Sequence, residues 1–200
     1  TGKWWIVIDN EDQTADEYYK KFGKDRVVMF DKEATANRID QGDNFPERRT
    51  ILYARNESFR VAEKLGLKYF MQMDDDYPSI DYRWAEDGKL RGKSVDDFDE
   101  LCLAMLNALE ETAAKTIFFG QGEDLIGGKD NARWQTSVLR KAMNSYFCRV
   151  DDPIEYKGKL NEDVTTYVLG GQRGELFFSI IDVIVVQAYT KTAFLHIFQH

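Results

Sequence analysis

The run Tyr69-Phe70-Met71-Gln72-Met73 is apolar and aromatic, and three consecutive aspartates, Asp74, Asp75 and Asp76, end it. A short apolar run bounded in this way fits a buried strand. An unpartnered carboxylate is costly in such a strand, so the acids mark its end. Either water solvates them in a turn, or a cation sits there. What precedes them narrows the choice of fold. Trp4–Asp9 and Arg26–Asp31 read as short buried strands. The segment from Thr14 to Gly23 reads as a helix, with Thr14 as its cap and Gly23 as its stop. Lys32–Ile39 fits a short helix. Arg49–Gly66 places Leu52, Phe59, Ala62 and Leu65 at helical spacing and leads straight into the acid-tipped strand. Strand, helix, strand, helix, strand is the alternation of an α/β layer.

The second half has a different rhythm. Asp87-Gly88 marks a hairpin between Ile80–Glu86 and Lys89–Gly92. Ser94 with Asp97 predicts a capped helix running to about Thr112, with Val95, Phe98, Leu101, Cys102, Met105 and Leu109 on one face. Thr116–Gly120 and Ser145–Val150 read as strands. Gly120, Gly122, Gly127 and Gly128 predict a flexible loop able to act as a lid. Asn161–Gly174 reads as a short helix with a glycine stop, and Glu175–Ile180 and Val183–Gln187 as two closing strands.

The chain has 200 residues, 27 basic and 35 acidic, for a net charge of −8. That balance argues against a broad basic nucleic-acid face, though not against a local one. No apolar run is long enough to span a membrane. Cys102 and Cys148 form no CxxC pair, and the expectation is two buried free thiols in a reducing compartment, the cytoplasm, with a disulfide as the alternative. The chain begins Thr1-Gly2-Lys3 without methionine, which reads as a processed or excised start. Neither a Walker phosphate loop nor a dinucleotide-binding glycine motif is present.

Side chains alternate along a strand, so Asp74 and Asp76 point to one side about 7 Å apart and Asp75 points away. Two acids aimed at one spot suit a hard cation such as Mg²⁺ or Mn²⁺, which leaves coordination positions for a diphosphate and water. Ligands of open α/β sheets gather at the carboxyl ends of strands, and Asp9 ends the first one. A solvated acidic turn is the competing reading. A calcium loop of the EF-hand type lacks its expected glycine and glutamate.

The strand-borne Met73-Asp74-Asp75-Asp76-Tyr77 resembles the DxD motif of GT-A nucleotide-sugar glycosyltransferases. The segment from Ala54 to Asp76 resembles their Arg-Asn helix running into that strand, and Ile6–Thr14 their first strand and nucleotide-side loop. Tyr69–Tyr77, Asn161–Ile180 and the later Val186-Gln187 look like the TET-associated glycosyltransferases of bacteriophages. The resemblance covers roughly residues 4–187. It implies a GT-A-like (Rossmann-like) α/β fold: a mixed, mainly parallel central sheet flanked by helices, in one glycosyltransferase domain over residues 1–200. The narrow family is expected to continue past Gln187 into a glycine-rich segment, whereas here the chain reads on to His200, so a truncated C-terminus is expected.

The activity implied is transfer of a hexosyl or pentosyl group from a nucleotide-sugar, of the UDP-sugar type, to a hydroxyl. The acceptor implied is 5-hydroxymethylpyrimidine in phage DNA, with no membrane partner and with a host-cytoplasmic location. Asp74 and Asp76 are the expected ligands of Mn²⁺ or Mg²⁺. Asp9, Arg55, Asn56, Asp74 and Asp75 are expected on the donor, arginine offering a planar fork for phosphate. In Asn161-Glu162-Asp163, Asn161 suits a helix cap and the acids suit a helix start. By resemblance Asp163 is the base that deprotonates the acceptor, with Glu162 next, and the reaction inverts configuration. Arg48, Arg49, Lys157, Lys159 and Arg173 are further phosphate candidates. Tyr82 and Trp84 are candidates for stacking, and His196 and His200 for a late metal ligand. The residues alone leave open a glycosyltransferase acting on a glycan or protein, a nucleotidyltransferase, and a non-enzymatic binding module or inactive relative.

Overall fold

Short β-rich runs separated by amphipathic helices give, in the computed structural model, eight strands and five helices among the described residues, which are 3–43, 45–74, 77–122, 141–142 and 144–186. In chain order these are β1 (Ile6–Asp9), α1 (Ala15–Phe22), β2 (Val27–Phe30), α2 (Lys32–Ala36), α3 (Leu52–Lys64), β3 (Tyr69–Met73), β4 (Ser79–Glu86) and β5 (Lys89–Ser94). They continue as α4 (Phe98–Glu111), β6 (Ala114–Gln121), β7 (Ser145–Arg149), α5 (Glu162–Gln172) and β8 (Leu176–Val186). The chain is α/β, and its described residues fall into two units. One comprises those of Thr1–Met73, Asp97–Phe118 and Lys141–Phe178; the other, those of Asp74–Asp96, Phe119–Arg140 and Ser179–His200.

In the first unit β1 and β2 form a parallel pair, Ile6 opposite Val27 and Asp9 opposite Phe30. A parallel pair needs a crossover, and α1 supplies it. Gly23, at φ 86, ends α1 in the left-handed region that glycine enters without strain. β3, β7 and β6 form a separate antiparallel ladder, with Phe70 opposite Cys148 and Thr116 also opposite Cys148. Against it pack Leu52 and Phe59 of α3, Ile154 and Tyr156, with Phe59 edge-on to Phe70 at 4.9 Å. α4 buries Leu101, Met105 and Leu109, one residue per turn. Cys148 is buried, Cys102 is half-buried, and both are free thiols. Burial raises the Cys102 thiol to about 11.

The second unit holds the order β8-β4-β5, all antiparallel. The end of β6 lies against β8, where a Cβ on Gly120 would stand 3.4 Å from Ile181 Cα. Asp87 (φ 49) and Gly88 (φ 75) turn the β4–β5 hairpin, the two positive angles that a tight two-residue turn requires.

The expected mainly parallel sheet is corrected. β1–β2 is the parallel pair, while β3–β7, β6–β7, β4–β5 and β4–β8 are antiparallel. Local periodicity identifies strands but not the distant strands they meet. The closing pair of strands is instead one strand, Leu176–Val186, in which Asp182 is exposed. Helix caps also shift. Asp97, rather than Ser94, caps α4 by accepting from Glu100 N at 2.8 Å. Thr14 and Asn161 make no side-chain cap bond, and Asn161 sits in the left-handed region at φ 53. The expected glycine loop from Gly120 to Lys129 is corrected at its start, since Gly120 is a buried residue of β6, and from residue 123 on it lies outside the described residues.

Two adjacent glycines near the end of α5 have opposite surroundings. A Cβ on Gly170 would lie 2.6 Å from both Glu175 Oε2 and Phe177 Cε2, whereas one on Gly171 meets nothing within 4 Å. Helical Gly→Ala changes ordinarily stabilise by up to about 1 kcal/mol. Gly171→Ala is therefore expected to raise the thermal midpoint. Gly170→Ala is expected to lower it, by about 1–3 kcal/mol of overpacking. Parallel melts of the two variants measure the sign at each position.

Candidate active site

Parallel pairing brings the carboxyl ends of β1 and β2 to one edge, and with them Asp9-Asn10-Glu11 and Asp31-Lys32. Asn10 Oδ1 accepts from Lys32 N at 3.0 Å. The Lys32 ammonium lies 3.1 Å from Asp9 Oδ2 and 3.7 Å from Glu11 Oε2, with its side chain only 10% exposed. Glu11 in turn pairs with Arg48 at 2.6 Å. A buried ammonium demands such partners, because its desolvation must be offset by nearby negative charge. Glu11, Lys32, Pro46, Glu47, Arg48 and Arg49 line a cleft of about 370 Å³ at this edge. Arg49 holds the exposed Glu47 carboxyl down at about 2. Lys32 was not singled out from sequence; its position directly after a strand's acidic end was the available signal.

A second polar group is built on α3. The Arg55 side chain is 6% exposed, and its Nε lies 3.4 Å from Glu162 Oε1 in the first turn of α5. Its guanidinium carbon stands 5.2 Å from the Tyr146 ring and 5.6 Å from the Tyr156 ring, within cation–π range of both. The Arg55 carbonyl accepts from Gln72 Nε2 at 2.8 Å, and Gln72 Oε1 accepts from Tyr156 Oη at 3.0 Å. Gln72 is thus the polar residue of β3 because it pins the strand's end to α3. A lone glutamine in an apolar run is the sequence signal for that role. Burial pushes the Tyr146 and Tyr156 hydroxyls up, and the carboxylates of Asp163 and Glu162 add to that at Tyr146.

Asp163 is buried, and its Oδ1 accepts from Val164 N at 2.7 Å. Among the described residues no ion pair engages it. Sequence reasoning therefore placed Glu162 and Asp163 together at one helix start, and the fold adds Arg55 to that group. Asn56 does something else. Its amide nitrogen donates to the Leu52 and Tyr156 carbonyls at 2.9 and 3.0 Å, and its oxygen accepts from Tyr156 N at 3.1 Å. It braces the chain before α5 against α3.

Asp74 follows β3 directly in the second unit, half-buried, and its Oδ2 accepts from Tyr77 Oη at 3.3 Å. Asp75, Asp76, His196 and His200 lie outside the described residues. Among the described residues no three His, Cys, Asp or Glu side chains gather as a metal-binding group, and no helix is long and apolar enough to cross a membrane. Lys157, Lys159 and Arg173 pair with Glu155, Asp43 and Glu175 at 3.4, 2.8 and 3.2 Å.

An α/β chain that sets acids at strand ends and at a helix start is compatible with a group-transfer enzyme, and comparison with known families gives the class as a glycosyltransferase. The family described as TET-associated glycosyltransferase matches residues 1–194, and the chain belongs to it. No curated protein and no solved structure matches.

Asn56 supplies three bonds to buried backbone groups. Asn56→Ala is expected to cost about 2 kcal/mol by leaving Tyr156 N and O unsatisfied. Urea unfolding of the variant beside the parent chain measures it.

Proposed function

We propose that the chain moves a sugar from a nucleotide-sugar donor to a hydroxyl acceptor, with a 5-hydroxymethylpyrimidine of DNA as acceptor and with inversion at the anomeric carbon. The observation that carries this reading is the group at the start of α5. Asp163 is buried there without an ion-pair partner among the described residues, beside a Glu162 held by Arg55. A carboxylate at a helix start is placed to take a proton. Membership of a glycosyltransferase family supports the class of reaction.

The acceptor oxygen forms a bond to the anomeric carbon as the bond to the diphosphate oxygen breaks on the opposite side. The acceptor's proton passes to Asp163, and Glu162 is the alternative base. The ion pair with Arg55 fixes the Glu162 rotamer, which is why Asp163 is preferred as base. Asp9, with Lys32 and Arg48 beside it, serves the nucleotide side, since ligands of parallel strand pairs sit at their carboxyl ends. Arg55, buried against Tyr146 and Tyr156, serves the site by holding Glu162, and Asn56 contributes as a brace.

The donor set at the end of β3 consists of carboxylate oxygens, and the Asp74 Oδ2 there accepts from the Tyr77 hydroxyl. That chemistry fits Mn²⁺ or Mg²⁺. Asp74 and Asp76 would hold the ion, with Asp75 on the donor side, and when bound it would carry the charge of the leaving diphosphate.

The test combines thermal stability in Mn²⁺ with a panel of UDP-sugars and other sugar nucleotides, and mass analysis of hydroxymethylated and unmodified DNA after incubation. Metal-dependent stabilisation by one donor and a mass gain confined to hydroxymethylated DNA are expected. No donor response from the panel would overturn the reading. Asp74→Asn is expected to lose the metal-dependent stabilisation. Asp163→Asn is expected to keep it while transfer falls by at least 100-fold, in line with the usual worth of a general base. Near-normal turnover in Asp163→Asn would move the base role to Glu162.

A further inference from the structure

The β4–β5 hairpin has two unlike faces. On one, Arg83 Nη2 pairs with Asp81 Oδ2 at 3.0 Å, and Ser94 Oγ donates to Asp81 Oδ1 at 3.1 Å. Arg83 also lies flat across the partner strand, because a Cβ on Gly92 would meet its Nη1 at 1.7 Å. That face is closed by its own side chains. The other face carries Tyr82 and Trp84, which are 36% and 41% exposed although both are large and aromatic. Register sets a cation opposite each ring: Tyr82 faces Lys93, and Trp84 faces Arg91. One pair further on, Glu86 faces Lys89.

Directly opposed residues of an antiparallel pair have Cβ atoms about 5 Å apart, so ring and cation share one patch. The patch carries three basic side chains, Lys89, Arg91 and Lys93, and the acid Glu86, within a chain whose net charge is −8. The acids near the patch do not close it. Glu86 stands 3.7 Å from Arg91, and Lys93 meets Asp96, but both pairs are solvent-exposed and worth little.

We propose that this face is the docking surface for a single strand of nucleic acid, the acceptor strand, with Trp84 and Tyr82 stacking on unpaired bases and Lys89, Arg91 and Lys93 meeting its phosphates. The proposal rests on the DNA-acceptor reading above for the strand's role, but the binding itself needs neither donor nor metal. Two observations choose a single strand over a duplex. Tyr82 and Trp84 are two residues apart on one strand, about 7 Å by strand rise. Stacked rings lie about 3.4 Å apart, so a gap of about 7 Å admits one unpaired base sandwiched between the two side chains. Exposed rings beside cations are the arrangement by which unpaired bases are held without sequence preference. A base that must leave its helix to be modified presents such an unpaired stretch.

The experiment titrates a fluorescein-labelled DNA 20-mer, single-stranded and as its duplex, with the full chain, without donor or divalent metal, at several salt concentrations. Tighter binding of the single strand is expected, with quenching of tryptophan emission. The double variant Tyr82→Ala, Trp84→Ala is expected to weaken single-strand binding at least tenfold, and Trp84→Phe to keep most of the affinity that Trp84→Ala loses. The double variant Arg91→Gln, Lys93→Gln is expected to reduce the slope of log K against log salt by about 1.4, two phosphates at the single-strand value. Unchanged melting midpoints establish that the variants fold. Binding of all variants within twofold of the parent overturns the proposal, as does a preference for the duplex, or capture of a protein on this face without DNA affinity. Loss of donor response with these DNA results intact would sink the glycosyl-transfer reading and leave this one standing. The opposite pattern sinks this one alone.

Discussion

A buried guanidinium must have its charge answered close by, and the arrangement of the first unit around Arg55 follows from that need. α3 sets the side chain inward, where solvent is excluded, so its charge is balanced by Glu162 and faced by the electron-rich rings of Tyr146 and Tyr156. Through its carbonyl the same residue also receives Gln72, which fixes the end of β3. One residue thus joins a helix, a strand end and the start of α5. Breaking such a pair from one side leaves a lone charge in the interior, which is why the elements around it cannot shift independently.

The order and kind of elements were largely readable. Leu52, Phe59 and Ala62 mark the buried side of α3, and Leu101, Met105 and Leu109 that of α4. Asp87-Gly88 announced its turn, because few other pairs accept two positive φ angles. The pairing of strands was not readable. β3 meets β7 across more than seventy residues of chain, and nothing within Tyr69–Met73 encodes that neighbour. A helix between two strands permits parallel pairing, and here that permission is used by β1 and β2.

Among site residues, the acids were legible and their partners were not. Asp9, Asp74, Glu162 and Asp163 announce themselves as charges at the ends of apolar segments. Lys32, Arg48 and Gln72 look like ordinary surface or strand residues until the fold brings Asp9, Glu11 and Arg55 to them. Asn56 shows the reverse. Beside Arg55 in sequence it reads as a companion on the same ligand, yet one helical step turns it to a different neighbour, the backbone of Tyr156. Proximity along a helix is a poor guide to shared function when successive side chains diverge.

Cys102 and Cys148, the chain's two cysteines, stay apart as thiols, one of them sealed in the core beside Phe118 and Tyr146. No covalent bond therefore records the folded arrangement. Unfolding and refolding break and remake no bond between these two sulfurs, and the fold shields the Cys148 thiol while it leaves Met29 and Met73 exposed. Whatever loosens the interior around Cys148 also uncovers the sulfur it shelters.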